Sequence, residues 1–126
     1  MKHDFASAIS AGWPRCEWSL YNSDDFTTLT WLSPDTPQPT LAEVEAKIAE
    51  LDLAEANRLL RKKRNTMLQE TDAKSLPDYP HKTEEERAAW LSYRQHLRDL
   101  LVTATPSLTA MHELDEASVD WPMKPQ

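Results

Sequence analysis

Apolar residues recur along this chain in three rhythms, and each change of rhythm marks a predicted element. Phe5 and Ile9 stand four apart behind Asp4, a good helix cap, so a short helix is predicted to about Gly12. Trp13-Pro14 ends it, because the residue before a proline is pushed out of the α region. Over Glu17–Tyr21, Trp18 and Leu20 alternate with polar neighbours, and Phe26–Leu32 carries Leu29 and Trp31 between threonines. Asn22-Ser23-Asp24-Asp25 is turn chemistry, so these stretches predict an antiparallel hairpin. A lone hairpin is marginal in water, so a helix must cover the face that holds Trp18 and Trp31. Residues 33–39 contain three prolines and form a stiff connector.

Thr40-Leu41-Ala42-Glu43 has the capping-box pattern, and no Gly or Pro interrupts the chain from Leu41 to Glu70. One helix of about 45 Å is predicted here. Its apolar residues form two seams: Leu41, Val44, Ile48 and Leu51, then Leu53, Ala56, Leu60 and Met67, rotated by about 120°. The first seam is expected to pack against the hairpin. Acids (Glu43, Glu45, Glu50) crowd the helix start and Arg58–Arg64 its later turns, as the macrodipole favours. After a loop over residues 71–82, Thr83-Glu84-Glu85-Glu86 starts a second helix to about Val102. Its stripe is Trp90, Tyr93, Leu97, Leu100 and Leu101. Met67 and Leu60 facing Trp90, Tyr93 and Leu97 would make an αα-hairpin closing over Leu76. The remainder is polar, acidic and Pro-bearing, with a helical turn expected around Leu108–Leu114. The fold class is α+β, mostly α, in three parts: residues 1–39, the helix 40–70, and the module 71–126 with an irregular tail.

Composition narrows the chemistry. At 126 residues the chain has room for one domain or two small modules, and its net charge of -7 argues against a nucleic-acid surface as its main business. A single glycine excludes phosphate loops and dinucleotide fingerprints, which need at least two. A single cysteine, Cys16, excludes an internal disulfide and fits a reducing cytoplasm; it reads as a buried small side chain. No apolar run approaches the roughly 20 residues of a membrane span, and no secretory signal opens the chain.

The four histidines (His3, His81, His96, His112) show no paired ligand spacing, and no nucleophile elbow is present, so no catalytic, cofactor or metal residues are expected. Arg58–Arg64 is open to three readings: a solvated helix end, docking to an acidic protein surface, or nucleic-acid binding. The stacking aromatics that single strands use are absent from it. Trp90 reads as core. Trp13 and Trp121 flank prolines in less regular segments and are the candidate exposed anchors. Arg94 and Arg98 are placed to ion-pair with Asp72 and Asp78 and clip the loop.

Taken together, Arg61-Lys62-Lys63-Arg64-Asn65-Thr66-Met67-Leu68, Thr71-Asp72, Leu76-Pro77-Asp78, Trp90-Leu91-Ser92-Tyr93-Arg94-Gln95-His96-Leu97-Arg98-Asp99 and Trp121-Pro122 resemble the phage tail assembly chaperone family. The likeness runs from about Leu60 to Asp99. Two positions depart from the family pattern: Ala73 replaces an aromatic, and Leu100-Leu101-Val102 replaces a short Pro-containing turn. More softly, the order of Phe5–Ile9, Trp13-Pro14, Trp18–Leu20 and Leu29–Leu32 resembles the N-terminal module of other small phage tail proteins. The resemblance implies a non-enzymatic protein that shields a tail or tail-fibre subunit in the host cytoplasm during assembly. A component retained at the fibre tip or baseplate is the alternative. The implied partner is a phage tail or tail-fibre protein, with no nucleic acid, no membrane and no cofactor, and a homo-oligomer left open. The motif residues Asp72, Pro77, Asp78, Trp90, Tyr93, Arg94, Leu97, Arg98 and Asp99 are expected to be structural. Apolar residues beyond position 53 exceed what the chain can shelter alone, so Leu53, Ala56, Leu60 and Met67, with Trp13 and Trp121, are expected to meet the partner.

Overall fold

The computed structural model describes residues 3–126; Met1 and Lys2 lie outside it. Among the described residues it contains helices α1 (Phe5–Gly12), α2 (Leu41–Glu70) and α3 (Glu84–Thr103), with strands β1 (Trp18–Leu20) and β2 (Leu29–Trp31). The architecture is α+β and mostly α. The chain packs as two compact units: residues up to Glu55 with Leu108–His112, and Ala56–Ser107 with Glu113–Gln126.

In the first unit, the Asp4 carboxylate accepts from the Ser7 N–H at 2.8 Å and caps α1. Trp13 is the residue after the helix, its N–H donating to the Ile9 carbonyl at 2.9 Å. The strands pair antiparallel in the register Trp18↔Trp31, Ser19↔Thr30 and Leu20↔Leu29. They are shorter than the alternation predicts, because Phe26–Thr28 is a 3-10 turn rather than strand. Local side-chain bonds outcompete extension there: Asp25 accepts from both the amide (3.0 Å) and the hydroxyl (2.6 Å) of Thr27. Thr28 Oγ1 donates to the Asp25 carbonyl at 2.7 Å.

The core of this unit is Ala8, Ile9 and Val44, all fully buried. Phe5, Trp13, Trp18, Phe26, Leu29, Trp31, Ile48 and Leu51 pack around it, so the first seam of α2 does cover the tryptophan face of the hairpin. Trp31 Nε1 donates to the Thr36 carbonyl at 2.7 Å and holds the Pro-rich connector. Cys16 is half-buried rather than buried.

In the second unit, the last turns of α2 and the whole of α3 form the αα-hairpin. Leu60, Trp90, Tyr93, Leu97, Leu100 and Val119 are buried together, with Met67, Leu68, Leu101, Ala104, Leu114 and Trp121 against them. The 3.6-residue period explains the contribution of α3, since positions 90, 93, 97 and 100 share one face. The tail is tied down. Ser107 accepts the Asp115 N–H at 2.8 Å, and its own N–H donates to Ser118 Oγ at 3.0 Å. The expected helical turn near Leu108–Leu114 is absent. Instead, within the residues that belong to the first unit, His112, φ 64°, closes a tight turn by donating its N–H to the Thr109 carbonyl at 3.0 Å.

Candidate partner-binding surface

The loop between α2 and α3 is built around a buried cation. Arg94, 8% exposed, donates to the Leu68 carbonyl (2.7 Å), Thr71 Oγ1 (2.9 Å) and Asp72 Oδ1 (2.9 Å). Leu68 lies in the last turn of α2, where carbonyls have no helical partner, so Arg94 caps that end and meets its negative pole. Thr71, 3% exposed, completes the cap by donating its hydroxyl to Met67 and Leu68. Of the two predicted ion pairs, Arg94 with Asp72 forms. Arg98 does not reach the loop; it points outward and donates to Gln95 Oε1 at 2.7 Å on its own helix. Asp78 and Pro77 are exposed, and Asp99 accepts from Gln95 Nε2 at 2.9 Å.

Arg87, which the sequence reading passed over, takes the clipping role foreseen for Arg98. It donates to the Tyr79 carbonyl at 3.2 Å and the Leu76 carbonyl at 3.5 Å. The Lys74 ammonium lies 4.6 Å from the centre of the Tyr79 ring and 4.8 Å from that of Trp90, bonded to the Tyr79 hydroxyl at 2.6 Å. The loop does not close over Leu76, which is 52% exposed.

The residues expected to meet a partner separate into spent and available. Ala56 and Leu60 have no accessible surface, and Met67 is half-buried against the core. Leu60 is buried together with the α3 residues Trp90, Tyr93 and Leu97, and neither Ala56 nor Leu60 is open to another molecule while the fold is intact. Leu53 is 49% exposed and available. Trp13 and Trp121 are half-buried against the cores of their own units rather than free anchors. Trp121 is covered further by Lys63, whose ammonium lies 4.9 Å from the ring centre and 2.5 Å from Glu116.

The apolar surface that the second unit does expose includes Leu76, Leu91 (46%) and Val102 (88%). Leu91 and Val102 are eleven residues apart, about 20° at the helical period, so both lie on the outer stripe of α3 with Ala88 and Gln95. That signal was present in the sequence, but the inward stripe of α3 masked it. The same inner face explains one electrostatic feature: burial pushes the Tyr93 hydroxyl above its ordinary value, with the Glu70 carboxylate adding to the effect. Among the described residues no group of three or more His, Cys, Asp or Glu is arranged to hold a metal ion, and no helix is long and apolar enough to cross a membrane.

Residues 57–126, more than half of the chain, match the family model described as phage tail assembly chaperone protein. No curated protein and no solved structure matches the chain significantly.

Proposed function

We propose that this chain, which belongs to the family of phage tail assembly chaperone proteins and so serves tail assembly, works by binding a tail or tail-fibre subunit. It covers apolar surface of that subunit until the subunit docks, acting in the host cytoplasm and without catalysis. The observation that carries this reading is the aliphatic surface left outside a completed core. Leu76, Leu91 and Val102 all fall within the family-matched residues, and their exposure serves no packing purpose in the fold. Leu53 extends the same property to the first unit. Burying the rest of each aliphatic side chain against a partner contributes roughly 1 kcal/mol or more.

The test is co-expression with the neighbouring tail-fibre or tail reading frame, followed by affinity capture and titration. Leu91→Asp with Val102→Asp is expected to leave helicity and the urea midpoint nearly unchanged and to weaken complex formation by about tenfold or more. Unchanged affinity in that double variant, with the fold intact, would remove the outer face of α3 from the proposal.

A further inference from the structure

His81 occupies an unusual position in the loop ahead of α3. Its side chain is only 1% exposed, and Nε2 lies 2.9 Å from the Lys74 carbonyl. A carbonyl can only accept, so Nε2 carries the hydrogen and the neutral ring is the Nε2–H tautomer. Nδ1 then presents a lone pair. It is buried, no partner satisfies it, and the Glu86 carboxylate stands 3.8 Å away. A buried acceptor facing another acceptor is a mismatch that one proton repairs.

We propose that His81 is a proton-operated latch. Taking up a proton on Nδ1 turns the lone pair into a donor aimed at Glu86, and closing the gap by about 1 Å makes a charge-assisted bond of ordinary length. Glu86 is already tied to the same place, since its other oxygen accepts the Lys82 N–H at 3.2 Å. Once closed, the bond fastens residues 76–82 to the first turn of α3.

Charged groups face this ring from each element packed on it. From α3 come Glu86, which favours the cation, and Arg87, which opposes it but is held by the Tyr79 and Leu76 carbonyls. From the turn before the loop comes Lys74, whose ammonium is engaged by the Tyr79 and Trp90 rings. The Tyr79 ring itself lies 4.6 Å from the imidazole, at a tilt. Of these groups Glu86 is the one paired with Nδ1, at 3.8 Å.

Hydrogen exchange on the full-length protein tests the latch, with rates corrected for the intrinsic pH dependence and 15N spectra of the His81 ring recorded in parallel. From pH 8 to pH 5.5, amides of residues 76–82 are expected to gain at least threefold protection as His81 passes from the Nε2–H tautomer to the doubly protonated ring. Glu86→Gln should lose that gain. His81→Gln, which keeps a donor for the Lys74 carbonyl and cannot titrate, should exchange alike at both pH values. A ring that stays neutral at pH 5.5 would overturn the proposal. So would protection that does not change with pH, or a Glu86→Gln protein that behaves as the parent does.

Discussion

Replacing Arg94 by Met removes the charge and keeps most of the aliphatic stem that packs between the helices. Three contacts disappear, and they are unequal. The bond to Asp72 ends on a side chain 65% exposed, so it behaves as a surface pair and contributes about 0.5 kcal/mol. The bonds to the Leu68 carbonyl and to Thr71 Oγ1 lie where water cannot replace them, and each charge-assisted bond of this kind contributes roughly 1.5–3 kcal/mol. One offset applies. The Leu68 carbonyl still receives the Thr71 N–H at 3.1 Å, so it is not fully stranded. The expected loss is therefore about 3 kcal/mol. With a urea slope of roughly 1–2 kcal/mol per molar for a small protein, the midpoint falls by about 2 M. Tryptophan fluorescence reports it directly, because Trp90 lies one helical turn from position 94. Asp72→Asn is the control and should cost well under 1 kcal/mol. If Arg94→Met costs no more than Asp72→Asn, the ion pair and not the helix cap is the working interaction, and Arg94 does not cap α2.

Two further predictions concern titration. Asp4 caps α1 and its carboxyl is held below the ordinary value of 3.8, chiefly by the Ser7 N–H. A depressed acid contributes stability above its unfolded value and loses it as the pH falls through the native one. Asp4→Ala should therefore cost about 1 kcal/mol at pH 7 by urea denaturation, and the difference should shrink as the pH falls below 3.8. Tyr93 is shifted the other way. Its fold favours the neutral hydroxyl, so stability should decline as the pH rises above its ordinary value of 10.0, and Tyr93→Phe should remove that part of the decline.

The caps were the most legible part of the structure because they are local. Thr40 and Glu43 exchange reciprocal bonds, Thr40 Oγ1 accepting from Glu43 N at 3.1 Å and Glu43 Oε1 from Thr40 N at 3.2 Å. Thr83 accepts the Glu86 N–H at 3.0 Å, but the Glu86 carboxylate turns to the Lys82 N–H instead of the Thr83 one, which the pattern alone does not specify. Periodicity also placed Leu60, Trp90, Tyr93 and Leu97 on facing stripes. Periodicity says which side of a helix is apolar and nothing about what covers it. The second seam of α2 is thus open to two readings, core or partner surface, and in the fold Ala56 and Leu60 are interior, Leu60 beside Trp90 and Leu97. Long side chains were the least legible. Arg87 and Arg98 stand eleven residues apart and so share a helix face, yet only Arg87 reaches the loop carbonyls, because Arg98 lies about 16 Å further along the axis. The Phe26–Thr28 turn is hidden in the sequence for a different reason: threonines favour strands on average, and Asp25 locally reverses that preference.

The burial of Ile9 by Val44, and of Leu60 by Trp90 and Leu97, has a consequence for synthesis on the ribosome. The first set, with the residues packed on it, comes from positions 5–51, so little loop entropy separates one partner's emergence from the next. The amino-terminal hydrophobic cluster has its main constituents before the polypeptide that carries α3 has been made. The chain is therefore suited to bury the apolar residues of its amino-terminal cluster before α3 is made, while Leu91 and Val102 stay uncovered in the finished fold.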